Sequence, residues 1–129
     1  MKKSHPSILV VGPSRMLYRT MESLGERFAY KVKYAFDPYA AANLIENTVF
    51  DALVFEVTAP YTAECRLVRE ICSRPGHLPV LLFAGPEDEE YVLDELAQGG
   101  FHVVRWTTPL EEFHQVLDTI IRRQSAKAA

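Results

Sequence analysis

Gly12-Pro13-Ser14 follows directly on the apolar run Ser7-Ile8-Leu9-Val10-Val11. A strand that breaks at glycine into a helix start can turn backbone amides toward an anion. Pro13 removes one of those amides and no glycine-rich phosphate fingerprint surrounds it, so nucleotide or flavin binding is unsupported. Glu56 is the second residue of interest. It lies near the end of the otherwise apolar run Phe50-Asp51-Ala52-Leu53-Val54-Phe55-Glu56-Val57, which closes at Thr58-Ala59-Pro60. An acid at the carboxyl end of a central strand lies at the crevice where doubly wound sheets take ligands. Gly12, Pro13, Ser14, Thr58, Ala84, Gly85, Thr107 and Thr108 would share that crevice.

Other chemistry finds little support. Ser14, Cys65 and Cys72 have no neighbouring base, and His5, His77, His102 and His114 fall in unrelated segments, where they read as surface or packing residues. Cys and His do not occur at metal-ligand spacing. Cys65 and Cys72 are seven apart in one expected helix, on the same face two turns apart, and read as reduced packing residues. The acids of Gly85-Pro86-Glu87-Asp88-Glu89-Glu90 suit the positive end of a helix better than a cation. No metal, no cofactor and no catalytic residue is expected, and the chain does not read as an enzyme.

The 129 residues are 48% hydrophobic, enough for one compact domain with a real core. A net charge of −3, with no Lys/Arg cluster, gives no attraction to phosphate backbones or anionic lipid. Direct nucleic-acid binding and membrane association are therefore not expected. The basic start Met1-Lys2-Lys3 precedes an apolar run that stops at Val11, too short for a signal-peptide core or a membrane span, which points to the cytoplasm.

Strand-like and helix-like segments alternate along the chain, the pattern of a parallel sheet with helices on both faces. Ser7–Val11 reads as a central strand and about Ser14 to about Glu26 or Phe28 as a helix with Met16, Leu17, Met21, Leu24 and Phe28 inward. Tyr30, Val32, Tyr34 and Phe36 alternate with Lys31, Lys33 and Ala35, as in a strand with one wet face near a sheet edge. Asp37-Pro38 starts a short second helix carrying Ala41, Leu44 and Ile45. Strands at 50–57, 79–84 and 102–106 and helices at about 63–73, from the acid block to Gly99, and from Leu110 complete the reading. Residues 1–6 read as an extension, 7–123 as the domain and 124–129 as a disordered tail.

Five such units in this order resemble the receiver domain of response regulators, a CheY-like, flavodoxin-like α/β fold with strand order 2-1-3-4-5. The resemblance is carried by Ile8-Leu9-Val10-Val11 leading into a turn, the rhythm of Phe50 to Pro60, Pro79-Val80-Leu81-Leu82-Phe83, and Thr107-Thr108-Pro109. It covers nearly the whole chain. In that family two adjacent acids after the first strand and a phosphoacceptor Asp after the third hold Mg²⁺ for phosphoryl transfer. The corresponding positions here are Gly12, Pro13 and Glu56. The family's small hydroxyl residue at the end of strand four aligns with Ala84, and its Lys at the end of strand five with Thr107 or Thr108.

The resemblance thus implies a degenerate pseudo-receiver: a signalling domain that acts as a phosphorylation-independent interaction module. Its partner, another protein or a second copy, would use the face of the fourth predicted helix, the fifth strand and the last helix, with Tyr91, Arg105, Trp106 and His114 as candidate contacts. The alternative is a phosphorelay receiver that retains some phosphoacceptor or small-ligand function at the crevice. Two readings of Glu56 stand side by side: a permanent mimic of the phosphorylated acceptor, or a solvated acid at a strand end. The same residues would also suit the regulatory part of a larger protein.

Overall fold

The computed structural model describes residues 5–57, 78–99 and 101–128. The predicted helix at 63–73, with both cysteines, Thr58 and His77, lies outside the described residues. The elements are β1 (Ser7–Val11), α1 (Arg15–Phe28), β2 (Lys31–Ala35), α2 (Pro38–Asn47), β3 (Ala52–Val57), β4 (Val80–Ala84), α3 (Glu90–Gln98), β5 (His102–Arg105) and α4 (Leu110–Ala128). Five parallel strands form one sheet in the order β2-β1-β3-β4-β5, with β1 and β3 central and the lysine-bearing β2 at an edge.

Strand parity sorts the core into two layers, because successive side chains point to opposite faces. Ile8, Val10, Val54, Leu81, Phe83 and Val104 meet Leu17, Met21 and Leu24 of α1 and Phe113, Leu117 and Ile120 of α4. Leu9, Val11, Leu53, Phe55, Val80 and Leu82 meet Ala41 of α2 and Val92 and Leu96 of α3. The expected doubly covered α/β sheet is therefore the observed one.

Local chemistry sets the helix starts. Ser14 caps α1, its hydroxyl accepting from the Leu17 amide at 3.3 Å, and Asp37 caps α2, accepting from the Ala40 amide at 2.8 Å with Pro38 in the first turn. The acid block behaves differently from expectation. Asp88 closes a turn by accepting the Gly85 amide at 2.7 Å, and α3 begins only at Glu90. The side chain so engaged diverts the backbone from a helix start, as Asp does in turns.

Three further expectations are corrected. Met16 is 38% exposed, since the buried stripe of α1 runs through Leu17, Met21 and Leu24 and the neighbouring residue falls about 100° around the helix. Phe36 is 68% exposed because β2 ends at Ala35 and the alternation ends with it. The frayed tail is also a helix: α4 continues through Ala128, and Gln, Lys and Ala beyond residue 123 are good helix formers with no breaker among them.

α1 and α4 are joined at one end by an aromatic cluster. The rings of Phe28 and His114 stack with centroids 3.9 Å apart, and the Tyr30 hydroxyl lies 2.7 Å from His114 Nδ1. Burial, reinforced by the Asp118 carboxylate, pushes the Tyr30 phenol up to about 12. The neutral phenol is the favoured folded form, so this stability is present below about pH 10, the ordinary tyrosine range, and is lost as pH rises toward 12.

Two measurements check this account of the core. Phe113 is fully buried with its ring 6.2 Å from that of Phe83, so Phe113→Ala should cost about 3–5 kcal/mol in urea unfolding; a loss below about 1 kcal/mol would contradict the packing. Unfolding free energy followed against pH should fall between about pH 10 and 12, and the fall should shrink in Tyr30→Phe. An identical profile in the variant would contradict the assignment to Tyr30.

Candidate functional site

The crevice is built where β1 ends beside β3. The two strands run in register from Ile8 opposite Ala52 to Val11 opposite Phe55, so the next residues on each, Gly12 and Glu56, are brought side by side. Strand parity turns Glu56 toward the layer of α1, and there its side chain folds over the β1–α1 turn.

The geometry is close. Glu56 is 9% exposed, and its Oε1 accepts a hydrogen bond from the Ser14 backbone N–H at 2.9 Å. A Cβ added at Gly12 would come within 2.6 Å of the Glu56 Cβ and 2.7 Å of its Oε1. Gly12 also holds φ at 145°, which side chains other than hydrogen rarely permit. Its own polar groups are engaged: the N–H donates to the Ala35 carbonyl at 3.0 Å, and the carbonyl accepts from the Tyr18 hydroxyl at 2.6 Å. The reading of Glu56 as a solvated acid is therefore corrected. A buried carboxylate needs hydrogen-bond donors, and the free amide at the start of α1, where the helix dipole is positive, supplies one.

The remaining crevice positions lie on β4 and after β5. Ala84 is buried and its carbonyl accepts from the Trp106 amide at 2.8 Å, so it offers no side-chain hydroxyl and its backbone oxygen is engaged. Neither Thr107 nor Thr108 is in a strand. Thr108 closes a turn on Arg105, its hydroxyl accepting the Arg105 amide at 2.9 Å and its amide donating to the Arg105 carbonyl at 2.9 Å. The last residue of β5 is Arg105, in register with Ala84. It is a cation, and strand alternation turns it away from the α1 layer that holds Val104, on the side opposite to Glu56. The Arg105 guanidinium forks onto the Glu90 carboxylate, with contacts of 2.7 and 3.2 Å. That hydrogen bond holds the Glu90 carboxyl below the usual range and raises Arg105 further.

The candidate contact residues divide. Tyr91 is 64% exposed and follows Glu90; Trp106 is 47% exposed and follows Arg105, so the Glu90–Arg105 pair ties the two aromatics to one neighbourhood. His114 stands apart, packed on Phe28 and Tyr30 beside α1. It is half-buried packing rather than part of that face.

The Mg²⁺ that the resemblance implies does not fit these residues. It needs several oxygen ligands in near-octahedral array, whereas Gly12 and Pro13 have no side-chain oxygen, the Gly12 carbonyl takes the Tyr18 hydroxyl, and Glu56 Oε1 takes the Ser14 amide. Among the described residues no three His, Cys, Asp or Glu side chains gather as a metal site, and no helix is long and apolar enough to cross a membrane.

No protein-family profile and no curated protein matches the chain. Solved structures do. The signal receiver domain of an HD domain-containing protein from Pseudomonas fluorescens Pf-5 matches with TM-score 0.80 at 17% identity, over 99% of this chain and 95% of that one. A response regulator from Thermotoga maritima gives 0.78 at 16%, over 92% and 98%, and a response regulator receiver domain protein from Clostridium thermocellum 0.74 at 19%, over 94% and 98%. With the sheet order, the parallel register and the two helical layers already described, these likenesses establish that the chain has the fold of response regulator receiver domains.

Proposed function

We propose that this chain is a phosphorylation-independent signalling module, a pseudo-receiver that binds a protein partner or a second copy of itself through the surface of α3, β5 and α4. The observation that carries the reading is the state of the crevice. Phosphoryl transfer needs a divalent cation and charge stabilisation around the moving group. Glu56 is buried on the Ser14 amide, Gly12 and Pro13 bring no acid, Ala84 brings no hydroxyl, and Thr107 and Thr108 bring no cation.

The docking face is favoured by its side chains. Tyr91, Arg105 and Trp106 are of the residue types that dominate binding energy in interfaces, and large aromatics exposed at 64% and 47% gain by being covered. The alternative, a receiver that still accepts a phosphoryl group, would need Glu56 to leave its place. A cytosolic location goes with the proposed reading, and no enzymatic step is part of it.

Incubation with Mg²⁺ and acetyl phosphate, followed by intact mass, should give no phosphoryl adduct; a stoichiometric acid-labile adduct would overturn the reading. Trp106→Ala should weaken partner or dimer association by tenfold or more, since hot-spot truncations cost about 2 kcal/mol or more, and should leave unfolding stability within about 1 kcal/mol. Unchanged association would remove Trp106 from the interface.

A further inference from the structure

We infer that the partner of the α3 surface is a second copy of this chain, received by a basic, aromatic face at the start of α1 and the end of β2. The inference rests on the reading of α3, β5 and α4 as a docking surface and gives that surface its occupant.

The receiving face is set by the register of β1 and β2. Val11 pairs with Ala35, so the turns that leave the two strands lie side by side and bring Met16, Phe36 and Tyr39 to one edge of the sheet. Phe36 is 68% and Tyr39 83% exposed, a gathering of large apolar side chains of the kind that marks a contact site. Arg15 and Arg19 flank Met16 on α1, and Lys33 stands exposed on β2. Among the described residues no ion pair takes up any of these three cations. Their placement is unfavourable in the isolated chain: Arg15 sits in the first turn of α1, at the positive end of the helix, and Arg19 lies four residues on, where like charges repel. Asp37 is engaged as the cap of α2, and Glu22 lies a turn further along α1. An anionic partner would relieve both costs.

The α3 surface is the complement. Val92, Leu93 and Leu96 bury one side of the helix, which leaves Tyr91, Asp94 and Glu95 together on the other, with Glu87 and Glu89 exposed just before it. The cation beside them, Arg105, is already paired with Glu90 at 2.7 Å. Each face thus has an apolar centre with charge of one sign around it, and the signs are opposite. β2 is one edge of the sheet, and α3 packs beside β5 at the other, so a chain cannot join its own two faces whereas two copies can. Like-charged pairings are disfavoured, so the contact joins unlike faces.

Sedimentation velocity over a concentration series at low ionic strength tests this. The wild type should self-associate, and added salt should weaken the association. Arg15→Glu with Arg19→Glu, or Asp94→Lys with Glu95→Lys, should each weaken it about tenfold or more, and mixing the two variants should restore it, since each then meets an opposite charge. All four side chains are exposed, so the variants keep the fold, which circular dichroism checks. A wild type that stays monomeric at millimolar concentration, association that survives either double substitution, or a mixture that fails to associate overturns the inference. Association weakened by Trp106→Ala and untouched by Arg15→Glu with Arg19→Glu would leave α3, β5 and α4 as the docking surface and remove only this partner.

Discussion

A carboxyl group that is buried gives up its hydration, and its oxygens need fixed hydrogen-bond donors in place of the water. Glu56 meets that constraint on the turn between β1 and α1. The Ser14 amide donates to it, the positive end of α1 lies behind that amide, and the missing side chain of Gly12 makes the room. The rest of the crevice follows from this placement. With the carboxylate drawn onto the helix start, the acid that a cation would need is engaged elsewhere, and the turn is shaped around a side chain of its own.

The fold delivers this arrangement through register and parity. Parallel pairing of β1 with β3 sets Gly12 beside Glu56, and the alternation of β3 aims Glu56 at the α1 layer while Phe55 and Val57 face α2 and α3. Both strands are central and covered on both sides, so a slip of one residue would turn every apolar side chain to the wrong layer. The site is thus held by the same packing that holds the core. The opposite rim is built more loosely, from turns that close on Asp88 and Thr108 and from an exposed ion pair between Glu90 and Arg105. An exposed pair of this kind orients side chains more than it stabilises the fold, which suits a surface that presents Tyr91 and Trp106.

Much of this was legible in the residues. Continuous apolar runs gave the central strands, alternation gave the edge strand, and Ser14 and Asp37-Pro38 gave two helix starts, because these are local signals with local causes. The crevice positions Gly12, Glu56 and Ala84 followed from the same strand ends. The burial of Glu56 was not legible: whether an acid at a strand end meets water or an amide depends on a neighbouring strand more than forty residues away in sequence. The fifth strand was read one residue too long, to Trp106, for a similar reason, since only pairing with β4 fixes where β5 stops. His114 lies on the amphipathic last helix, where sequence spacing alone does not say which flank meets α1. Composition suggested a helix for the acid block, and the turn closed by Asp88 overrode it.

The central claim is that the Glu56 carboxylate belongs to the β1–α1 turn and not to a cation. The most direct measurement is a crystal structure grown with excess Mg²⁺ and beryllium trifluoride, a mimic of the phosphoryl group. The account predicts Glu56 Oε1 still on the Ser14 amide, with no metal beside it. A magnesium ion seated against Glu56 with the mimic attached would contradict it.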